Sequence, residues 1–556
     1  MLLPSDRLQA IPEETQRIAR AAFPKGSLAM RLRDELGTVY LDDQFSDLFP
    51  NRGQPAASPA LLALVVVLQF AEGLSDRQAA DAVRGRIDWK YALGLELTDS
   101  GFDFSVLSEF RTRLADGHAE ERLLDALLIA FRERGLLKAG GRQRTDSTHV
   151  LANLRDLNRL ECVGETLRAA LNELAQLAPE WVKHLVPVEW YARYERRFDS
   201  MHKPDTQSAR DELMQQIGAD GMWLMTHAFA AGTPPEVRWA PGLEVLRRMW
   251  VQQFYLDNSG DQPQVRARRN EDLPPAAKRL KSPYDLQARY SRHNDTEWVG
   301  YKVHLTESCE ADAPLNVITH VEVAQATQQD VEAPELIHAQ LAQRGLTPSE
   351  HLMDAGYPSA DLFVEAQRDY GIQVISPVHK LQNVSWQARE KTGYDSSRFR
   401  IDWEAKTVTC PEGHPSTKWV DNCHDRTDNL VIHVAFDTQT CKVCSARSLC
   451  TRSRREGRNM LLRPREPHEA LQRARVEQGS DEFKSKYRIR MGIEGTISQA
   501  VRGFGLRRTR YIGLAKARLQ AVAIAAAINL ERFSDYLCGA RPVRSIIPPF
   551  AALAAS

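Results

Sequence analysis

The sequence predicts an α/β protein: a mixed-sheet core, an all-α N-terminal domain before it, and two insertions, one helical and one small and cysteine-bearing. Three observations lead there. Residues 1–135 show helical hydrophobic periodicity. From Trp298 the order becomes strand, strand, helix, strand, helix, strand, that of a mixed sheet covered by helices. The 556-residue length is too great for one ordinary core.

Within residues 1–135, "SPALLALVVVLQFAEGLSDRQAADAV" begins an apolar helix at Ser58 and Pro59, breaks at Gly73 and caps a second helix with Ser75. That is the shape of a helix-turn-helix, which serves packing hairpins as well as DNA readers. "FDFSVLSEFRTRL" (Phe102–Leu114) starts another amphipathic helix. Residues 136–153 then supply the first strand of the core, in "GRQRTDSTHVLAN" (Gly141–Asn153), rich in Thr and Val after a Gly pair. Residues 154–285 return to helical periodicity as an insertion, with Trp181, Trp190, Trp223, Trp239 and Trp250 as aromatic bulk.

The core resumes over 286–380. "WVGYKVHLTES", "PLNVITHVEVAQA", "EHLMDAGY" and "IQVISPV" read as strands, and the stretches near Val331–Arg344 and Ser359–Asp369 as helices. Residues 381–478 form the cysteine-rich insertion, 479–540 the C-terminal helices of the core, and 541–556 a tail.

Lys/Arg and Asp/Glu balance at 73 each, but residues 481–544 carry 13 Lys/Arg against 5 Asp/Glu. Such a local basic field suggests a polyanion partner. Arg266–Lys281 and Arg452–Arg465 repeat the bias more weakly; each alone also suits a solvated face. The first 30 residues interleave acids and bases without an apolar run, unlike a secretory signal. Ala60–Ala71 and Ala521–Ala527 are too short to span a bilayer. A cytoplasmic, nucleoid-associated protein without membrane attachment is expected.

Two acids stand out by position. Asp146 lies mid-strand, unfavourable for both β-propensity and burial unless something pairs with it. Asp354 ends a strand, where α/β proteins commonly place ligands, although an Asp there is also an ordinary turn residue. Glu494 sits alone in the basic stretch "KYRIRMGIEGTISQAVRGFGLRRTRY", sharing one helix face with Tyr487 and Arg490. Taken alone these last three read as an ion pair and a packing Tyr. Three carboxylates gathered at one sheet end repel one another and require divalent cations; hard oxygen donors suit Mg²⁺ or Mn²⁺.

This order of strand Asp, strand-end Asp and helix Glu resembles the DDE triad of bacterial insertion-sequence transposases. So does the wording "RTDSTHV", "HLMDAGY" and "YRIRMGIEGTISQAVRGFGLRRTRYIGLAK", the last carrying the Tyr-x2-Arg-x3-Glu signature of one branch in Tyr487, Arg490 and Glu494. That branch usually has Lys seven residues after the Glu; here Val501 stands there, with Arg502 beside it. The N-terminal stretches "LSDRQAADAV" and "FSVLSEFRTRL" are similar to the helical domain preceding catalysis in these transposases, so residues 1–135 are expected to bind DNA.

The resemblance implies a ribonuclease H-like catalytic core. It implies two Mg²⁺ or Mn²⁺ ions on Asp146, Asp354 and Glu494, and cleavage at transposon ends followed by attack of the freed 3′ hydroxyl on target DNA. Tyr487, Arg490, Arg502, Arg507, Arg508 and Arg510 are the expected contacts to double-stranded DNA, and Thr148, His149 and Lys302 are supporting candidates. Joining two ends calls for a homodimer on DNA. A metal-dependent nuclease without strand transfer and a non-catalytic DNA-binding descendant are the alternatives.

Cys410, with Cys441, Cys444 and Cys450 in "CKVCSARSLC", has the knuckle spacing of a structural Zn²⁺ site, a zinc-ribbon-like insertion. Cys423, His414 or His424 are alternative ligands, and Cys162, Cys309 and Cys538 read as structural.

Overall fold

The computed structural model describes residues 10–50, 57–155, 157–198, 204–260, 262–379, 385–425 and 428–539; the tail 541–556 lies outside them. In the N-terminal region Ser58 caps helix α1 (Pro59–Ala71), with Pro59 in its first turn. After Gly73, at φ +68°, Ser75 and Gln78 form a capping box at the start of helix α2 (Asp76–Gly85). The two axes meet at 113°. Nearly every side of α1 is apolar, so it needs cover all round. These helices accordingly share one core with the sheet and the C-terminal helix, where a free-standing N-terminal domain was expected.

The main sheet has six strands. They are β1 (Arg142–Leu151), β2 (Arg289–His293), β3 (Thr296–Ser308), β4 (Ile318–Gln325), β5 (Glu350–Leu352) and β6 (Gln373–Ile375). β3 runs antiparallel to β1, β2 and β4, while β5 pairs parallel with both β1 and β6. Helices α3 (Ala333–Gln343) and α4 (Ala360–Tyr370) make the crossovers that parallel pairing requires. β2 has no distinct signal in the sequence pattern.

C-terminally, helix α5 (Asp481–Arg488) passes through a tight turn at Ile489–Met491 into α6 (Gly492–Gly503). A loop then leads to α7 (Leu514–Leu537). The expected long basic helix is therefore broken, and Arg507, Arg508 and Arg510 lie on the loop. The Ala521–Ala527 run of α7 is buried in the core, and Asn529 donates to and accepts from the backbone of Ile318. Among the described residues no single helix is long and apolar enough to cross a membrane. One bent pair, α1 with α2, passes on length and composition, yet α1 is mostly buried.

The insertion after β1 buries a core of its own around Trp190, Met249, Trp250 and Phe254. Gly221 lets Trp250 lie directly against its helix, with the indole N–H donating to the Gly218 carbonyl. Two features differ from expectation: Trp239 is 81% exposed, and Phe254–Asp257 pairs with Gln264–Ala267 as a hairpin. The cysteine-rich insertion has a small core including Phe399, Val434, Phe436 and Met460, beneath a three-stranded and a two-stranded sheet.

One buried ionic cluster locks α6 to the central strands. Glu307 of β3 is fully buried between Arg144 of β1 at 2.6 Å and Arg532 of α7 at 2.9 Å, and accepts from the Thr496 hydroxyl of α6 at 2.6 Å. Arg144 also donates to the Ile489 carbonyl, and it lies so close to Gly492 that a Cβ there would fall 2.0 Å from its guanidinium. Glu307→Gln is expected to destabilise the fold by about 3–5 kcal/mol, because it leaves two guanidinium groups without their carboxylate. Denaturant unfolding measures this, and a loss below about 1 kcal/mol would contradict the assignment.

Candidate active site

Alternation along β1 puts Arg144 and Asp146 on the face beneath the α5–α6 turn. The parallel register pairs Arg144 with Leu352. Continued by two residues, it carries Asp146 and Asp354 to the same end of the sheet. Asp354 is held there by a turn: its carboxylate accepts the Ala355 N–H, and its carbonyl accepts the Tyr357 N–H at 3.1 Å and the Ser376 hydroxyl at 2.9 Å. Burial lifts the Asp146 carboxyl above its ordinary range. The Ser147 N–H and Arg490 pull it back, and the negative charge of Asp354 pushes it further up. The two acids are thus electrostatically coupled.

Arg490 joins the third acid to them. Its Nη1 donates to Asp146 Oδ2 at 2.9 Å and its Nη2 to Glu494 Oε1 at 3.3 Å. Burial works against the guanidinium charge, but Asp146, Tyr487 and Asp354 raise it above its usual value. Its side chain is 11% exposed, that of Glu494 60%. Arg490 also lies over the Tyr487 ring at 5.6 Å, and that ring stacks on Phe483. Tyr487, Arg490 and Glu494 share a face as expected, although a tight turn separates the two helices that carry the Tyr and the Glu.

The remaining arginines divide. Arg507 donates to the Thr148 hydroxyl at 3.1 Å and the His149 carbonyl at 2.7 Å, tying its loop to β1. Arg510 donates to the Leu74 carbonyl and covers the Phe70 ring, holding the turn between α1 and α2. Arg502 and Arg508 are exposed. Val501 packs against the main core, which accounts for an apolar residue where the resembled branch has Lys. His149 packs on Trp298, with ring centroids 5.2 Å apart.

Beneath the acids lies a set of groups that, apart from Lys302, the sequence pattern does not mark. Lys302 Nζ donates to Asp330 at 2.8 Å and to the Gln328 carbonyl at 2.9 Å, and Ser147 donates to Asp330 at 3.4 Å. Tyr357 and His304 share a hydrogen bond of 2.7 Å, and Tyr357 senses Asp330, Asp146 and Asp354. Behind Asp146, Thr145 bonds His351, and His351 bonds His338. Asp330 gives no signal in sequence because it lies in a connection between elements. Tyr357, three residues after Asp354 in "DAGY", could have been found by proximity.

Asp146 and Asp354 offer hard oxygen donors with more negative charge than their surroundings neutralise, which fits a divalent cation. Among the described residues, however, no group of three or more His, Cys, Asp or Glu side chains is drawn together closely enough to hold one. At the acids the physical reason is Arg490, whose guanidinium stands between Asp146 and Glu494. Cys410, Cys441, Cys444 and Cys450 line one recess of about 40 Å³, together with His414 and Arg458. Burial raises the Cys450 thiol, Arg458 lowers it, and the other three thiols raise it again. Four thiols are the donor set of a structural zinc site, but here they line the recess without being drawn together closely enough to hold an ion. Cys423 and His424 stand on the strand Lys418–His424, outside that recess, and all eight cysteines are free thiols.

Two parts of the chain match known families. Residues 17–113 match a Transposase domain (DUF772), and residues 409–534 match a Transposase DDE domain. The second match runs from just before Cys410 into α7 and includes Glu494; Asp146 and Asp354 fall outside both. No curated protein and no solved structure matches the chain. The two matches support a bacterial insertion-sequence DDE transposase.

The buried histidines beneath the acids give a pH test. Burial lowers both His304 and His338 to about 4. Neutral in the folded state and titrating near 6.5 when unfolded, they contribute stability that is fully present above about pH 6.5. That contribution is lost as pH falls from there towards about 4, on the order of 3 kcal/mol for each. Denaturant unfolding should weaken progressively below pH 6.5; stability flat down to pH 5 would contradict neutral burial.

Proposed function

We propose that this chain, a bacterial insertion-sequence DDE transposase by its two family matches, cleaves DNA at the ends of its element and joins the freed 3′ hydroxyl to target DNA. The observation carrying this reading is the contact of Asp146 with Arg490, 344 residues apart in sequence. It brings a strand acid and the Tyr-Arg-Glu helix face to one place at the sheet end where Asp354 lies. A ribonuclease H-like core is the fold that the DDE match implies, and the order of antiparallel and parallel strands is consistent with it.

Asp146, Asp354 and Glu494 are the residues that would hold Mg²⁺ or Mn²⁺. Two such ions, when bound, supply the charge that activates the attacking oxygen and stabilises the leaving one. In this reading Arg490 has two tasks. Without a cation it neutralises Asp146 and Glu494. With DNA present, a phosphate offers the same planar fork an alternative partner, and the guanidinium moves from carboxylate to phosphate. Tyr487 lies under it as a surface for the terminal nucleotide. Arg502 and Arg508, exposed and C-terminal to the signature, serve the flanking backbone, while Arg507 and Arg510 act by fixing their loop.

The remaining assignments belong to the same proposal. Residues 1–135 bind the terminal repeats, 154–285 and 381–478 are insertions, and the core comprises 136–153, 286–380 and 479–540. Cys410, Cys441, Cys444 and Cys450 hold a structural Zn²⁺ that staples an insertion with a small apolar core. The protein acts as a homodimer on double-stranded DNA, in the cytoplasm at the nucleoid.

Asp146→Ala, Asp354→Ala and Glu494→Ala are each expected to lower cleavage of end-bearing DNA by roughly 100-fold or more while leaving DNA binding in place. Glu494→Lys should abolish cleavage with binding unchanged or tighter, since it adds positive charge beside the substrate. Gel assays of cleavage and binding read both effects, and unchanged cleavage in the three alanine variants would overturn the catalytic reading. Pre-nicked ends incubated with target DNA separate a transposase from a nuclease, since only the former gives joined product.

Elemental analysis is expected to find one zinc per chain, lost in Cys441→Ser/Cys444→Ser. Zinc-free folded protein with all four thiols titratable would contradict the zinc assignment.

A further inference from the structure

Outside the acid cluster, an open trough of about 690 Å³ runs between the cysteine-rich insertion and the helices that follow it. One wall is the segment carrying Lys391 and Arg398. The other is the helix Arg465–Glu477, carrying Arg475, continued by Lys484 of α5. Four cations therefore face one groove against a single acid, Asp395. That acid is buried, accepts from the Ser397 N–H at 3.0 Å, and directs its charge towards Arg458. It does little to neutralise the trough.

The cations themselves are poorly compensated. Among the described residues Lys391, Arg398 and Arg475 form no ion pair, and Lys484 pairs only with the exposed Asp481. Arg475 is the most telling: half-buried, it donates to the His379 carbonyl at 3.4 Å, and burial lowers its pKa with no carboxylate to restore it. A guanidinium withdrawn from water without a counter-ion gains most from an anion brought to it. Gly393 and Gly479 keep the trough's walls free of side-chain bulk at two points.

Its position suggests which anion. Lys484 precedes Arg490 by six residues along α5 and the turn, about 9 Å at helical rise. With one charge per 3.4 Å along each strand of duplex DNA, that is about three phosphates. The trough would thus meet a DNA backbone already engaged at the carboxylates.

We propose that this trough is a second seat for the DNA backbone, in which Lys391, Arg398, Arg475 and Lys484 take phosphates of duplex DNA about three nucleotides from the reacting phosphodiester. The inference rests on the reading that this chain acts on DNA.

The test uses the full chain without divalent metal and a duplex of roughly 40 base pairs of arbitrary sequence, with affinity measured over a range of salt. Lys391→Gln/Arg398→Gln removes two exposed, unpaired charges, and an unchanged unfolding temperature would show that it folds. The double variant is expected to bind about tenfold more weakly near 0.1 M salt, with the slope of log affinity against log salt reduced by about 2, close to one unit for each phosphate left without its cation. Lys183→Gln, an exposed residue of the helical insertion paired with Glu180, should leave the slope unchanged.

If the parent binds with a steep slope and the double variant keeps that slope, the trough is not a DNA seat, although the chain still acts on DNA. If the parent shows no salt-dependent binding, both readings fall. A parallel titration with inorganic phosphate separates the sources of the anion. Phosphate binding that needs Lys391 and Arg398, with duplex binding unaffected by their loss, would assign the trough to small anions and overturn the proposal.

Discussion

The geometry of the acid cluster depends on one buried carboxylate. Glu307 sits near the C-terminal end of β3 with no solvent exposure, held by Arg144 from β1, Arg532 from α7 and Thr496 from α6. A carboxylate there is tolerable only because every partner is present. The same bonds fix where α6 lies over the sheet. Arg144 reaches past Glu307 to the Ile489 carbonyl, in the turn that carries Arg490, and Gly492 leaves room for it. The position of Glu494 relative to Asp146 is therefore set less by the acids themselves, which repel, than by a neutralised ionic cluster one layer deeper.

Above that cluster the electrostatics are less settled. Asp146 is pushed up by burial and by Asp354, and one guanidinium answers both it and Glu494. A single monovalent group facing three acids leaves negative charge in excess, the condition under which a divalent cation gains most. Arg490 stands between Asp146 and Glu494, and among the described residues no three such donors are drawn together closely enough to hold a metal. In the proposed function the guanidinium and a DNA phosphate are complementary, so loading the acids and engaging the substrate favour one another.

Much of this was legible in the sequence because it rested on local signals. A mid-strand Asp146, a strand-end Asp354 and a Tyr-Arg-Glu helix face each break a local preference, and the structure brings all three to one sheet end. The cysteine spacing likewise placed four thiols around one recess. What escaped was whatever depended on partners distant in the chain. Arg507 and Arg510 read as free cations in a basic run, yet they bond β1 and the turn after α1. Asp330, Tyr357 and His304 converge from three segments that are individually ordinary. The N-terminal helices read as a separate domain because their periodicity is self-contained, but α1 is apolar on nearly every side and is covered by α7. Trp239 reads as core bulk from composition alone and is exposed.

The sharpest test is diffraction from crystals of the full chain with Mn²⁺ and element-end DNA, using the anomalous signal of manganese. Manganese is expected on Asp146, Asp354 and Glu494, with Arg490 withdrawn from Asp146 and turned to a DNA phosphate. Manganese absent from these three residues, or Arg490 still bonded to Asp146 with the metal bound elsewhere, would contradict the proposed site.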